Sequence, residues 1–209
     1  MNNISDSYSC IECLYNINSL KNLKSIFDHG ILSKNLLKKN ALLNEDLSNP
    51  SVQNRRECKM VPNHRPLHDY ANLYFDARNP MLYSLLLNRG VDELCVLCID
   101  KKVLDLPETV VTDRNAAAEL AVFISPDKAI SQLDFQMIFA KYWNDEDVSR
   151  MVDKKQVKCA EVLVLDKVPV EYIISIKIGS RKAKEKVEEL NFGVPVVLDE
   201  ELFFNKGNG

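Results

Sequence analysis

VPNHRPLHDYANLYFDARNPMLY, residues 61–83, is the stretch around which the chain is organised. Pro62 and Pro66 hold the backbone extended or turned on either side of His64. Residues 72–75 are a short aromatic run, stopped by Asp76, Ala77, Arg78, Asn79 and Pro80. That pattern predicts a strand ending in a polar loop, with a helix starting at or after Pro80. Aromatic rings at a strand end beside a polar turn suit a flat, partly polar ligand. The plainer reading of the same rings is core, and the residues by themselves favour it.

Outward from this stretch, bulk properties set bounds. A chain of 209 residues is long enough to bury a substantial core undivided, so one domain over residues 1–209 is expected. Hydrophobic residues at 46% and charged ones at 27% are globular values. A net charge of −3 argues against broad nonspecific binding of nucleic acid and leaves a local basic groove open. No apolar run approaches the length of a membrane span. MNNISDSYSC has neither the basic nor the apolar part of a signal peptide, so a cytoplasmic protein with no membrane partner is expected.

Six cysteines include two CxxC pairs, Cys10/Cys13 and Cys95/Cys98, a spacing that suits zinc. Both lie in strand-like apolar runs without the Gly or Pro of a metal knuckle, and residues three apart in a strand face opposite ways. Reduced, mostly buried thiols and no metal are expected.

In chain order, residues 8–17 read as a strand. Leu20, Leu23, Ile26 and Phe27 recur at helical spacing, with Ser19 as N-cap and Gly30 just past the end. Residues 32–63 are polar and weakly periodic, a long loop or a few short helices, and carry Arg55-Arg56. MLYSLLLN, residues 81–88, predicts a short buried helix ending at Gly90. Strands are expected over 93–100 and 107–112, and an apolar face predicts a helix over 116–124. Residues 144–158 are the most charged stretch. CAEVLVL, residues 159–165, is an apolar strand with one acid, Glu161, on the face of Leu163 and Leu165. That is the face expected to be buried, so a merely solvated acid is a weak reading. A strand over 170–178, a basic helix over 179–190 and a last edge strand complete a mixed α/β or α+β domain. No GxGxxG or Walker sequence is present.

The wording of four segments adds a resemblance. LHDYANLYFDARNPMLY, about 17 residues, resembles the LHDY-x-PFYF-x-P-x-SPML segment of the DarT family, bacterial toxins that ADP-ribosylate DNA. Arg78 and Asn79 stand where the family has Pro and Ser. INSLKNLKSIFDHGI, residues 17–31, resembles the family's H-x-x-N-L-x-x-I-L-x-x-G-L element, which lines the NAD pocket. Asn22, Leu23, Ile26 and Gly30 match, and Ser19 takes the place of the histidine. VTDRNA, residues 111–116, resembles F-T-D-x-H-A, with Asn115 at a second histidine position. CAE at 159–161 resembles the Q-A-E start of the catalytic strand, and Arg56 falls where the family has an active-site arginine upstream of VP.

The resemblance implies an α+β, ADP-ribosyltransferase-like split mixed β-sheet with flanking helices. It implies NAD as co-substrate and transfer of ADP-ribose onto a nucleobase of single-stranded DNA. Glu161 and Arg56 are the implied catalytic pair. Ser19, Asn22, Gly30, His68, Tyr70 and Asn115 are implied donor contacts, with Tyr74, Phe75 and Met81 walling the nicotinamide. Arg55, Arg150, Lys154, Lys155 and Lys158 are expected to meet the acceptor strand, the last four from a loop. A macrodomain antitoxin is the implied partner, in a toxin–antitoxin or phage-defence system. The alternatives are transfer to RNA or protein, and a catalytically inactive nucleotide-binding module of the same fold.

Overall fold

The structure is a computed structural model that describes residues 3–62 and 65–204, so His64 lies outside the described residues. Its strands are Cys13–Ser19 (β1), Ile31–Leu32 (β2), Tyr70–Tyr74 (β3), Leu94–Asp100 (β4), Val110–Thr112 (β5), Phe123–Ile124 (β6), Glu161–Leu165 (β7), Lys167–Val168 (β8), Ile173–Ile178 (β9) and Val196–Leu198 (β10). The helices are Ile4–Ser7 (α1), Leu23–His29 (α2), Lys34–Lys39 (α3), Pro50–Glu57 (α4), Pro80–Arg89 (α5), Pro126–Ala129 (α6), Phe135–Ile138 (α7), Val148–Val157 (α8) and Arg181–Glu188 (α9).

The strands β10-β9-β4-β1-β3-β7-β5-β6 form one sheet in that order, and β2 pairs with β8 apart from it. β10 runs parallel to β9, while the other neighbours are antiparallel, so the sheet is mixed. Its middle is uneven. β1 pairs with β4 along its whole length, from Cys13 opposite Asp100 to Ser19 opposite Leu94. Toward β3 it is joined at one register pair, Tyr15 opposite Tyr74. β3 instead follows β7, from Tyr70 opposite Leu165 to Tyr74 opposite Glu161. Two half-sheets, each twisted, therefore diverge beyond Tyr15–Tyr74. Asn16 Nδ2 spans the gap, donating to the Asn72 carbonyl at 3.1 Å.

Side chains alternate across the strands and fill two layers. Leu14, Leu73, Phe75, Leu97, Ile99, Val162 and Ile176 share the larger core. Ile17, Tyr74, Leu82, Leu94, Val96 and Phe203 share the second. α5 is the expected helix and lays Leu82 and Leu85 on that second layer. Asn79 caps it, accepting the Leu82 N–H at 3.1 Å.

Some expectations moved. β1 begins at Cys13 because Tyr8 turns into the core, fully buried, its hydroxyl donating to the Pro126 carbonyl at 2.7 Å. The helix expected over 116–124 does not form. The Asp113 carboxylate accepts the Val122 N–H at 2.9 Å and ties both ends of a loop, after which Phe123 and Ile124 pair with β5. The charged stretch expected as a loop is the helix α8, capped by Asp147, which accepts the Arg150 N–H at 3.1 Å. Among the described residues no helix is long and apolar enough to cross a membrane.

Candidate active site

Glu161 is the first residue of β7 and has no exposed surface. A carboxylate there needs partners, because burying an unpaired charge is far more costly than pairing it. Arg56 Nη1 donates to Oε1 at 3.1 Å and to Oε2 at 3.0 Å. The Ala116 N–H donates to Oε1 at 2.9 Å. Behind it the Glu161 N–H donates to Thr112 Oγ1 at 3.2 Å, and that hydroxyl donates onward to the Arg114 carbonyl at 2.7 Å. So α4, the loop after β5 and β7 meet on one acid.

Local sequence explains how each part arrives. α4 starts on an Asn49 cap with Pro50 in its first turn and runs long enough to bring Arg56 in, leaving Arg55 exposed. Tyr74 lies opposite Glu161 in the β3–β7 register, and its hydroxyl donates to Met81 Sδ at 2.9 Å. Burial and then the Glu161 charge push that hydroxyl's pKa well above the usual tyrosine value. The buried Cys159 thiol is pushed up to about 12 for the same reasons in the same order.

Where the sheet splits, an open cleft forms. Asn16, Asn18, Gly30, Lys34, Arg56 and His68 are among its lining residues. A second hollow, lined by Tyr74, Met81, Asn115 and Cys159, shares Arg56 and Asn72 with it. Glu161 stands directly behind this shared wall. Gly30 has φ +88°, and a Cβ there would sit 2.5 Å from the Val168 carbonyl oxygen, so this wall of the cleft admits no side chain. His68 Nε2 lies 2.9 Å from Gln53 Oε1, and burial followed by the Lys34 and Arg56 charges lowers its pKa.

The structure thus brings Arg56, Glu161, Tyr74, Met81, Asn115, Gly30, His68 and Tyr70 around the split. Ser19 and Asn22 are buried and do not line the cleft themselves; both hold Glu45, which does. The Ser19 hydroxyl donates to the Glu45 carboxylate, and Asn22 exchanges hydrogen bonds with the Glu45 backbone at 2.8 and 3.0 Å. Phe75 is corrected out of the wall. Strand alternation sends it to the opposite face from Tyr74, where it stacks on Tyr8 at 6.4 Å. Lys158 is corrected too: it is buried, its amine tied to the Asp76 carboxylate and to the Ile138 carbonyl at 2.8 Å, so it presents no charge to a strand. Arg150 and Lys154 both pair with Asp145, and they line a groove along α8 that shares no lining residue with the cleft. Lys155 follows on the same helix.

Lys34 and Asn16 were not singled out in the sequence. Lys34 Nζ donates to Gln53 Oε1 at 2.9 Å in the cleft wall, but its KNLLKK helix reads as surface. Among the described residues no group of three or more His, Cys, Asp or Glu is placed to hold a metal.

Solved structures share this fold. "Thermus sp. 2.9 DarT in complex with ADP-ribosylated ssDNA" matches with a TM-score of 0.79 at 27% identity, over 90% of this chain and 94% of that one. "Thermosipho africanus DarTG in complex with ADP-ribose" matches at 0.79 and 27%, over 92% of this chain and 51% of that one. The fold is that of an ADP-ribosyltransferase-like protein: α+β, a large mixed sheet split at its centre, helices on both faces.

A family model described as "ssDNA thymidine ADP-ribosyltransferase, DarT" matches residues 15–204, and the chain belongs to that family. A "DNA ADP-ribosyl transferase" of Thermus sp. (strain 2.9) is 31% identical over 187 residues, 83% of this chain and 84% of its own. A "DNA ADP-ribosyl transferase-DNA ADP-ribosyl glycohydrolase fusion protein" of Thermosipho africanus (strain H17ap60334) is 28% identical over 196 residues. That alignment takes in 91% of this chain and 49% of the relative, so the chain spans about half the length of the fusion protein.

Proposed function

We propose that this protein, acting as one domain, transfers ADP-ribose from NAD to a nucleobase of single-stranded DNA. The observation that carries the reading is Glu161, held by Arg56 and the Ala116 N–H at the point where the sheet splits. The cleft suits a dinucleotide: a backbone wall at Gly30, polar side chains at Asn16, Asn18 and His68, and cations at Lys34 and Arg56 for the phosphates.

Arg56 stands between the cleft and Glu161, so it meets the donor phosphates or the incoming base first. Drawn towards a phosphate, it leaves the carboxylate facing the ribose. The bond between nicotinamide and the ribose carbon breaks, neutral nicotinamide departs, and positive charge develops on the ribose. The Glu161 carboxylate stabilises that charge. A base nitrogen then attacks the ribose carbon and gives its proton to the same carboxylate. Tyr74 and Met81, joined by their hydrogen bond, wall the nicotinamide side.

Unrestrained modification of DNA is toxic, so the reading includes a toxin role. It also includes a partner that removes the mark, of the glycohydrolase kind fused to the Thermosipho relative. Cytoplasmic placement, where NAD and DNA are both at hand, belongs to the same reading.

The test is an acceptor panel. The protein is incubated with NAD and single-stranded DNA, RNA or protein, and each acceptor is weighed by mass spectrometry. A gain of one ADP-ribose on DNA is expected, with thymidine, the nucleoside in the family description, as the first acceptor to try. A gain on RNA or protein alone overturns the acceptor.

One observation favours a second reading, the inactive nucleotide-binding module. The Ser19 hydroxyl is spent on Glu45, and Asn115 Oδ1 accepts the Ala117 N–H at 2.9 Å, so neither group is poised as an imidazole would be. NAD that raises the melting temperature while every acceptor stays unmodified selects this module.

A further inference from the structure

We infer that the aromatic box formed by Tyr83, Trp143 and Phe204 is a stacking site for a nucleobase neighbouring the one modified, on the same single strand. The inference rests on the function proposed above. The three rings come from α5, from the segment between α7 and α8, and from the turn after β10. They nevertheless meet edge to face, with centroids 5.2 to 6.1 Å apart and planes inclined at 67° to 77°. Rings that converge in this way are normally buried. Here they surround an open hollow, with Tyr83 44% exposed and the adjoining Tyr142 67% exposed. Trp143 and Phe204 are half-buried, so ring edges and faces from all three elements are open to a ligand at one place. Phe204 reaches the box from a backbone φ of +56°, a left-handed conformation that a phenylalanine rarely adopts.

Two features select a nucleotide. The Arg78 guanidinium lies 4.1 Å from the centre of the Phe204 ring, and it is fixed there by donating to the Lys141 carbonyl at 2.9 Å and the Glu201 carbonyl at 3.3 Å. Lys141, mostly exposed on the rim, is paired with the Glu201 carboxylate at 3.3 Å, a surface contact that a phosphate can displace. Aromatic faces with cations beside them hold a base by stacking and its phosphate by charge, whatever the sequence. The second feature is continuity with the site. The start of α5 forms a wall common to both places: Pro80, Met81 and Ser84 face the hollow before Glu161, and Tyr83 faces the box. A strand whose target base lies at Glu161 meets the box after crossing this wall.

Trp143 is the single tryptophan of the chain, so its fluorescence reports on the box directly. Titrating the full chain with a single-stranded oligodeoxynucleotide, without NAD, is expected to quench that emission. In the transfer assay, Trp143→Ala and Tyr83→Ala are each expected to reduce the KM advantage of a long oligodeoxynucleotide over a dinucleotide about tenfold. Thermal unfolding of each variant identifies any loss that comes from misfolding, and Phe204→Leu, which keeps bulk without a ring, repeats the test on the third wall. Unchanged Trp143 emission on DNA binding, or variants that keep the full length advantage, overturns the proposal. So does a loss confined to binding of a protein partner. Quenching by DNA in a protein that transfers nothing keeps the box and overturns the function it was argued from.

Discussion

Arg56 and Glu161 are 105 positions apart in sequence, and each makes the other tolerable in the interior. Removing one partner of such a pair leaves an unpaired buried charge. Arg56→Gln and Glu161→Gln should therefore each lose about 3–5 kcal/mol of stability. The double variant should lose less than the sum, by about 0.5–3 kcal/mol, as chemical denaturation of the four proteins would measure. His68 gives a pH prediction. Burial holds its folded pKa below its unfolded value of about 6.5, so the folded state resists protonation. Its contribution to stability is fully present above that pH and is lost as pH falls through the folded value. His68→Gln should flatten the pH dependence of the melting temperature in that window, and an unchanged slope would assign the titration to another group.

At the scale of elements, Gly30 joins fold and site. It ends α2, places β2 against β8 and lines the cleft. Gly30→Ala should cost about 1–3 kcal/mol from the left-handed backbone alone, and more from the contact with Val168, read as a lower melting temperature.

This is also the scale at which the sequence was most legible. α5 carried its own start and stop in Pro80 and Gly90, and β7 carried an apolar run directly after Glu161. Glu161 could be read because its face also holds Leu163. The helix expected over 116–124 failed because alanine periodicity said nothing of Asp113 closing a loop onto Val122. Phe75 was misplaced because two adjacent rings look alike until strand alternation separates them. Lys158 read as surface because its partner, Asp76, is 82 positions away.

The whole molecule is two half-sheets joined at Tyr15–Tyr74, with the cleft where they part. A ligand that bridges both halves stabilises the folded state by mass action. NAD at a hundred times its Kd should add about 2.7 kcal/mol, visible as a rise in melting temperature that grows with NAD concentration. The central claim is that the carboxylate at the head of β7 is where ADP-ribose changes hands. The most direct measurement is the intact mass of a single-stranded oligodeoxynucleotide after incubation with NAD and the protein, wild type beside Glu161→Gln, both checked as folded by circular dichroism. The account predicts one added ADP-ribose with the wild type and a yield lower by about 10²–10⁴-fold with the variant. Equal yields from the two proteins would contradict it.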